Sequence, residues 1–318
     1  MSPEKENSRL SSFIIARGDY QSNTFMNNLD AIYNFILKKL RELCDRENFY
    51  FKPIKPKLSD LELIAIYISA EYLSIDSEYQ LFRYLSNSKL DGKIERSVYN
   101  RRKRKLFFHM ENLRKLIVSQ FSDVQDIFIV DSMPLEICKN ARAKRSRICK
   151  EHEFSFPSKG YCASQSSYYY GYKLHARCSV SGVFQSFDIS TASIHDIHFL
   201  QDIKQQMKKC TLIGDRGYLS TKVQTDLFNY AHIKLETPMR SNQKDFKKQK
   251  YIFRKSRKRI ETLFSQLCDQ FKIRNNYAKS FNGFKTRILS KIMTLTFIQF
   301  INVFVYKRNM NKIKIAIV

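Results

Sequence analysis

Ile127-Phe128-Ile129-Val130-Asp131, followed by Ser132-Met133-Pro134, is the stretch around which the chain is organised. Four consecutive apolar, β-favouring residues read as a strand buried on both faces. A carboxylate stands at the strand's last position, and Pro134 is expected to keep the strand from running on. Ligands of an open α/β sheet bind at the carboxyl ends of its strands, so an aspartate there is placed for chemistry. Taken alone, Asp131 is as well explained as a turn-capping residue. The arrangement recurs, however. Thr211-Leu212-Ile213-Gly214-Asp215 is a second apolar run ending in Asp, followed by Arg216-Gly217-Tyr218. Gly217 is expected to supply the sharp turn into a helix over 222–230.

Between and beyond these strands the periodicity alternates. Tyr168 to Ser190 reads as a hairpin, with Tyr172, Leu174, Ala176 and Cys178 alternating against Lys173, His175 and Arg177 and a turn at Ser181-Gly182. Ser193-Ile194-His195-Asp196 looks like a helix start with Asp196 near its N-terminus. His195 and His198, whose spacing could suggest a metal pair, are read as capping or surface residues. Ile233 to Leu235 is a further short strand, and the lysine-rich loop beyond it carries Arg240 and Lys244. In Arg254 to Phe271, Ile260, Leu263, Phe264, Leu267 and Phe271 recur at helical spacing. Glu261 borders that buried stripe. Arg257 precedes it by one turn, and Arg254 and Lys258 are close by. An ordinary surface Arg–Glu pair explains Arg257 and Glu261 taken alone. Among so many cations, a glutamate at the core's edge instead suggests a carboxylate aimed at a metal near a polyanion.

The 318 residues suffice for one large domain or two ordinary ones, and 43% hydrophobic content makes the chain globular. Basic residues outnumber acidic ones 56 to 30, a formal charge of +26 that exceeds what solubility requires. Such an excess implies a polyanionic partner, nucleic acid or an anionic membrane. Met1 to Arg9 is polar and carries no signal-peptide core. The most apolar stretch, Ile288 to Tyr306, contains Lys291, Thr294, Thr296, Gln299 and Asn302, which suits a core helix better than a membrane span. Seven cysteines from Cys44 to Cys268 suit a reducing cytoplasm, and the spacing of Cys138, Cys149, His152 and Cys162 matches no standard zinc pattern. No Gly-Lys-Ser/Thr phosphate loop is present, which argues against an ATP-driven motor.

The N-terminal part, 1–123, reads as an all-α, helix-turn-helix-like DNA-binding domain. A helix over 25–44 precedes the proline-punctuated connector Phe51-Lys52-Pro53-Ile54-Lys55-Pro56. Ser59 and Glu62 then form a capping box. After the turn Asp91-Gly92-Lys93 comes a strongly basic helix containing Tyr99, Asn100, Arg101, Arg102, Lys103, Arg104 and Lys105. A run of charge is usually a solvated face. Five consecutive basic residues beside Tyr99 and Asn100 favour contact with phosphates and base edges.

Two strand-end aspartates and a helix glutamate form a hard, all-oxygen ligand set of the kind Mg²⁺ prefers. Two such ions about 3.5–4 Å apart can serve both the attacking and the departing oxygen of a phosphodiester. At this point the residues carry a family resemblance. Ile129-Val130-Asp131-Ser132-Met133-Pro134-Leu135 with Cys138, Ala192-Ser193-Ile194-His195-Asp196, Gly214-Asp215-Arg216-Gly217-Tyr218 and Arg257-Lys258-Arg259-Ile260-Glu261-Thr262-Leu263-Phe264-Ser265 follow in order. Together they resemble a DDE transposase of a bacterial insertion sequence, most closely the insertion sequence 982 family. The resemblance spans about 124–300 and, less specifically, the helical N-terminal part.

The resemblance implies a ribonuclease-H-like mixed sheet flanked by helices over 124–318, with Asp131, Asp215 and Glu261 as catalytic metal ligands. It implies two ions, Mg²⁺ or Mn²⁺, and water followed by a 3′-hydroxyl end as nucleophiles for cleavage and strand transfer. The partners it implies are the element's terminal repeats and target DNA, held by a homodimer in the bacterial cytoplasm at the nucleoid, with no membrane. Related glutamate helices often carry a tyrosine, an arginine and a lysine at fixed spacing. Here Arg257 matches, but Arg254 and Cys268 occupy the other two positions, and Lys272 is the nearest replacement cation. Two rivals remain open: a non-catalytic repressor descended from a transposase, and a stand-alone nuclease with the same core.

Overall fold

The computed structural model describes residues 28–121, 126–239, 241–242, 246–315 and 317. The chain divides into two compact units, residues 1–109 with 316–318, and residues 110–315.

The first unit is all-helical among its described residues. Helix α1 (28–43) buries Leu29, Ile32, Ile36 and Leu40 at three- and four-residue steps. Helix α2 (Asp60–Tyr72) starts at the expected box: the Glu62 N–H donates to Ser59 Oγ at 3.0 Å, and the Ser59 N–H donates to the Glu62 carboxylate at 2.6 Å. Asp60, the first residue of α2, is 1% exposed. Its carboxylate takes Lys52 Nζ at 2.5 Å and Arg102 Nη2 at 2.7 Å, which ties the proline-rich connector to the basic helix. Helices α3 (Glu78–Leu85) and α4 (Arg96–Lys105) follow, joined by residues 86–95, in which Gly92 takes a left-handed φ of 61°. That connection is longer than the turn of about three or four residues in a compact helix-turn-helix. Tyr99 packs edge-on against Tyr67 and Phe82 and closes this core.

Helix α5 (Phe107–Ser119) begins in the first unit and ends in the second, which holds a mixed sheet of β1 (Ile127–Cys138), β2 (Ser158–Cys162), β3 (Ser167–Ser179), β4 (Phe184–Thr191), β5 (Thr211–Ile213) and β6 (Lys234–Glu236). The order is β2-β3-β1-β5-β6, with β4 also on β3. Strand β3 is long enough to pair β2 along Ser167–Gly171 and β4 along Tyr172–Cys178. It runs antiparallel to β1, whereas β1, β5 and β6 are parallel. Helices α6 (Phe199–Gln206) and α7 (Thr221–Ala231) cover one face, burying Phe199, Leu200, Ile203 and Leu227 against Val130, Leu212 and Leu235. Helix α8 (Tyr251–Asp269) packs on β1 and β3, and α9 (Phe281–Phe300) on β4. This curled mixed sheet flanked by helices is the expected ribonuclease-H-like architecture.

Strand β1 departs from expectation. It does not end at Asp131 but continues through Pro134, which lies opposite Lys173, to Cys138. Beyond Ile129, β5 no longer pairs with β1, so only β3 holds its outer half. A strand with one open side tolerates a proline, which lacks one N–H. Gly171 has no Cβ to drive into the Leu135 carbonyl, which would lie 2.2 Å away, and the β1–β3 register shifts at the adjoining bulge.

Helix α9 is apolar and long enough to cross a membrane, but 83% of its apolar window is buried within the protein. Its buried hydroxyls Thr286, Ser290, Thr294 and Thr296 each donate to the carbonyl four residues earlier, so polarity is satisfied inside the helix. It is a core helix.

Candidate active site

Above the outer half of β1 lies an open cleft of about 950 Å³, lined by Asp131, Asp215 and Glu261 among others. Three sequence-distant carboxylates therefore share one depression. Each arrives differently. Asp131 projects from mid-β1 on the side of Ile129 and Met133, the face that α8 covers. Asp215 follows the end of β5 by two residues and caps the short 3₁₀ turn Arg216–Tyr218. Glu261 is exposed on α8, one residue past the buried Ile260. The described ion pairs do not include Arg257 with Glu261, although Arg257 lines the same cleft.

Backbone amides orient both aspartates. The Ser132 N–H donates to Asp131 Oδ1 and the Gly217 N–H to Asp215 Oδ1, each at 2.8 Å. The need for glycine at 217 is one of space, since its φ is not left-handed. A Cβ there would stand 3.0 Å from Asp215 Oδ1 and 3.6 Å from Asp196 Oδ2. The sharp turn expected of Gly217 is therefore a close approach to two carboxylates.

Asp196, expected only to lie near a helix N-terminus, is the fourth carboxylate of the cleft. Lys173 Nζ reaches both Asp196 Oδ1 at 3.0 Å and the Ile194 carbonyl at 2.8 Å. The cap of the turn is His195, whose Nδ1 accepts the Ile197 N–H. Below Asp196, buried His175 holds Ser190 Oγ at 2.7 Å through Nε2 and stacks on Phe199. Burial pushes its imidazole below the usual histidine range, against the pull of the Asp196 and Asp188 carboxylates.

Burial pushes the Asp131 carboxyl up to about 7, and the negative charges of Asp215 and Asp196 push the same way. The Ser132 N–H and the Arg257 guanidinium only partly oppose them. Four cations, Lys173, Arg216, Arg257 and Arg274, line the cleft with its four carboxylates. Acids thus match bases here, in a chain where bases dominate nearly two to one. Among the described residues no three His, Cys, Asp or Glu side chains stand close enough to form a ready-made metal cage. The donor set is nevertheless all oxygen, and a divalent cation would offset both the burial of Asp131 and the repulsion from Asp215 and Asp196.

At the far end of α8, Cys268 lines the cleft where the related helices carry lysine. Lys272 does not line it. Its left-handed φ of 50° turns the chain after α8 and buries Phe271 and Ile273. That turn returns Arg274 to the cleft beside the Cys268 sulfur, where burial pushes the thiol up and the guanidinium pulls it down. Tyr161, Ser164 and Tyr169, from the β2–β3 region, also line the cleft and carried no signal in the sequence.

The proposed DNA contacts fall into four groups. Tyr99 and Lys103 are buried at 1% and 7% exposure, with Lys103 Nζ over the Tyr67 ring. Arg102 is committed to Asp60 and the Leu58 carbonyl, and Asn100 to Glu78. Arg101, Arg104 and Lys105 are exposed on α4, and Arg254 and Lys258 on α8. Arg240 and Lys244 lie outside the described residues.

Residues 122–297 match the family model described as the transposase DDE domain. No curated protein matches the chain.

Proposed function

From its membership of the transposase DDE domain family, we propose that this chain cleaves and rejoins DNA at the ends of an insertion sequence of the 982 group. The observation that carries the proposal is the convergence of Asp131, Asp215 and Glu261, from a strand, a turn and a helix, on one cleft. These three would hold one or two divalent ions, Mg²⁺ or Mn²⁺. When bound, such ions polarise the scissile phosphate and activate an attacking oxygen.

The protein's own residues do the rest. The Ser132 and Gly217 amides fix the aspartates before substrate arrives, which lowers the cost of reorganisation. Arg257 and Arg274 flank the carboxylates and meet the phosphates around the scissile bond. In this reading Arg274 takes the place of the missing helix lysine. Lys173 binds both Asp196 and the Ile194 carbonyl and so positions the turn that carries Asp196. On the helical unit, Arg101, Arg104 and Lys105 neutralise duplex phosphates and Arg102 holds their helix in place. Two element ends must be held together, so the working form is a dimer in the bacterial cytoplasm, bound to the nucleoid.

The test is incubation of purified protein with labelled element-end DNA and a target plasmid. Cleavage and joined products are expected with Mg²⁺, both abolished by Asp131→Ala, Asp215→Ala or Glu261→Ala. Full activity in all three variants would sink the site assignment. Cleavage without joining would identify a nuclease.

A further inference from the structure

The helical unit carries a second depression, of about 600 Å³, whose rim shares Arg104 and Lys105 with the duplex contacts but whose aromatic walls those contacts do not use. Its walls bear two large rings left in solvent, Phe51 at 92% and Phe108 at 69% exposure. The backbone beneath them is fixed. The Tyr50 hydroxyl donates to the Lys105 carbonyl at 2.7 Å, and the Phe49 and Tyr50 rings both pack on His109, at 4.7 and 4.8 Å. On the floor, buried Asp60 balances one of its two cations, Lys52 and Arg102, and leaves a net positive charge. Arg104 and Lys105 add exposed positive charge at the rim.

Exposed aromatic faces beside exposed cations around a concave surface suit a ligand with flat apolar faces on an anionic backbone. Duplex DNA keeps its base faces stacked inside. An acidic peptide satisfies the cations and leaves both rings in water. An apolar protein surface covers the rings and strands the cations. We propose that this depression binds unpaired DNA, with bases stacked on Phe51 and Phe108 and phosphates at Arg104 and Lys105. The inference does not depend on the chemistry assigned to the cleft.

The chain contains no tryptophan, so Phe51→Trp installs a single reporter at the site. Titrating the full-length variant with a short oligothymidylate is expected to quench its fluorescence, saturating together with the anisotropy of the labelled oligonucleotide. A duplex of equal length is expected to bind without quenching. In the otherwise unaltered protein, Phe51→Ala with Phe108→Ala should weaken oligothymidylate binding at least about fivefold and leave duplex affinity unchanged. No quenching at saturation, or equal loss of both DNA forms in the double variant, would overturn the proposal. So would polyglutamate binding as tightly as the oligonucleotide. Both rings are exposed, so neither set of variants touches the core.

Discussion

Asp131 concentrates the tension of the cleft in one residue. Burial and neighbouring carboxylates hold its carboxyl up at about 7, well above the roughly 3.9 of a free aspartate. The native protein therefore keeps a proton that the unfolded chain releases, and stability falls as pH rises from about 4 to about 7. Asp131→Asn removes this dependence. In metal-free buffer its melting temperature is expected to exceed that of the unaltered protein by a few degrees above about pH 7, with the gap closing near pH 4. The same carboxyl must lose its proton to hold a cation, so Mg²⁺ affinity measured by calorimetry should rise with pH up to about 7. Gly217 offers a second test at this scale. Gly217→Ala places a methyl 3.0 Å from Asp215 Oδ1. Cleavage is expected to fall roughly ten- to a hundredfold, the usual penalty for disturbing a residue that orients a metal ligand, with the thermal transition almost unchanged.

Among elements, α5 shows how a helix can be tied to a sheet by one charged side chain. Arg114 is fully buried, bridges Glu111 at 2.7 Å, and donates to the Phe184 carbonyl at 2.7 Å and the Gln185 carbonyl at 3.1 Å. Arg114→Met keeps the volume and orphans a carboxylate and two carbonyls. Urea denaturation should show a loss of about 3–5 kcal/mol, the cost of breaking a buried pair from one side. Strand β1 shows how an element can outrun its local signal. Pro134 reads as a stop, yet the strand continues because β3 supplies the ladder on one side and nothing on the other requires an N–H. In α8 the buried stripe was legible residue by residue, from Ile260 to Leu267. The cation that accompanies it was not, because Arg274 reaches the cleft only after the chain turns at Lys272.

For the whole molecule, the +26 charge predicts a DNA affinity that falls steeply with salt. Replacing Arg101, Arg104 and Lys105 together by Ala should lower the slope of log affinity against log salt by about 3, near 0.9 for each lost phosphate contact. Anisotropy titrations on duplex DNA over a range of salt would measure it. Replacing buried Lys103 by Met, which keeps its packing over Tyr67, should leave that slope unchanged. An equal change would mean that Lys103 also reaches phosphate.

The family resemblance supplied the ribonuclease-H-like sheet. The two Asp-terminated apolar runs and the helical stripe beside Glu261 determined the mixed α/β class and singled out the three carboxylates that meet in the cleft. These are local properties: an apolar alternation, a buried helical stripe or a charged residue at an element's end is encoded within a few neighbouring positions. Only the tertiary structure decided that Asp196 and Lys173 form an ion pair at the cleft, that Arg274 stands beside Cys268, and that Tyr99 and Lys103 belong to the core. Each of those outcomes depends on which distant segments pack together. The reach of one side chain across a sheet, or the return of a chain after a left-handed turn, leaves no periodic trace in the residues that carry it.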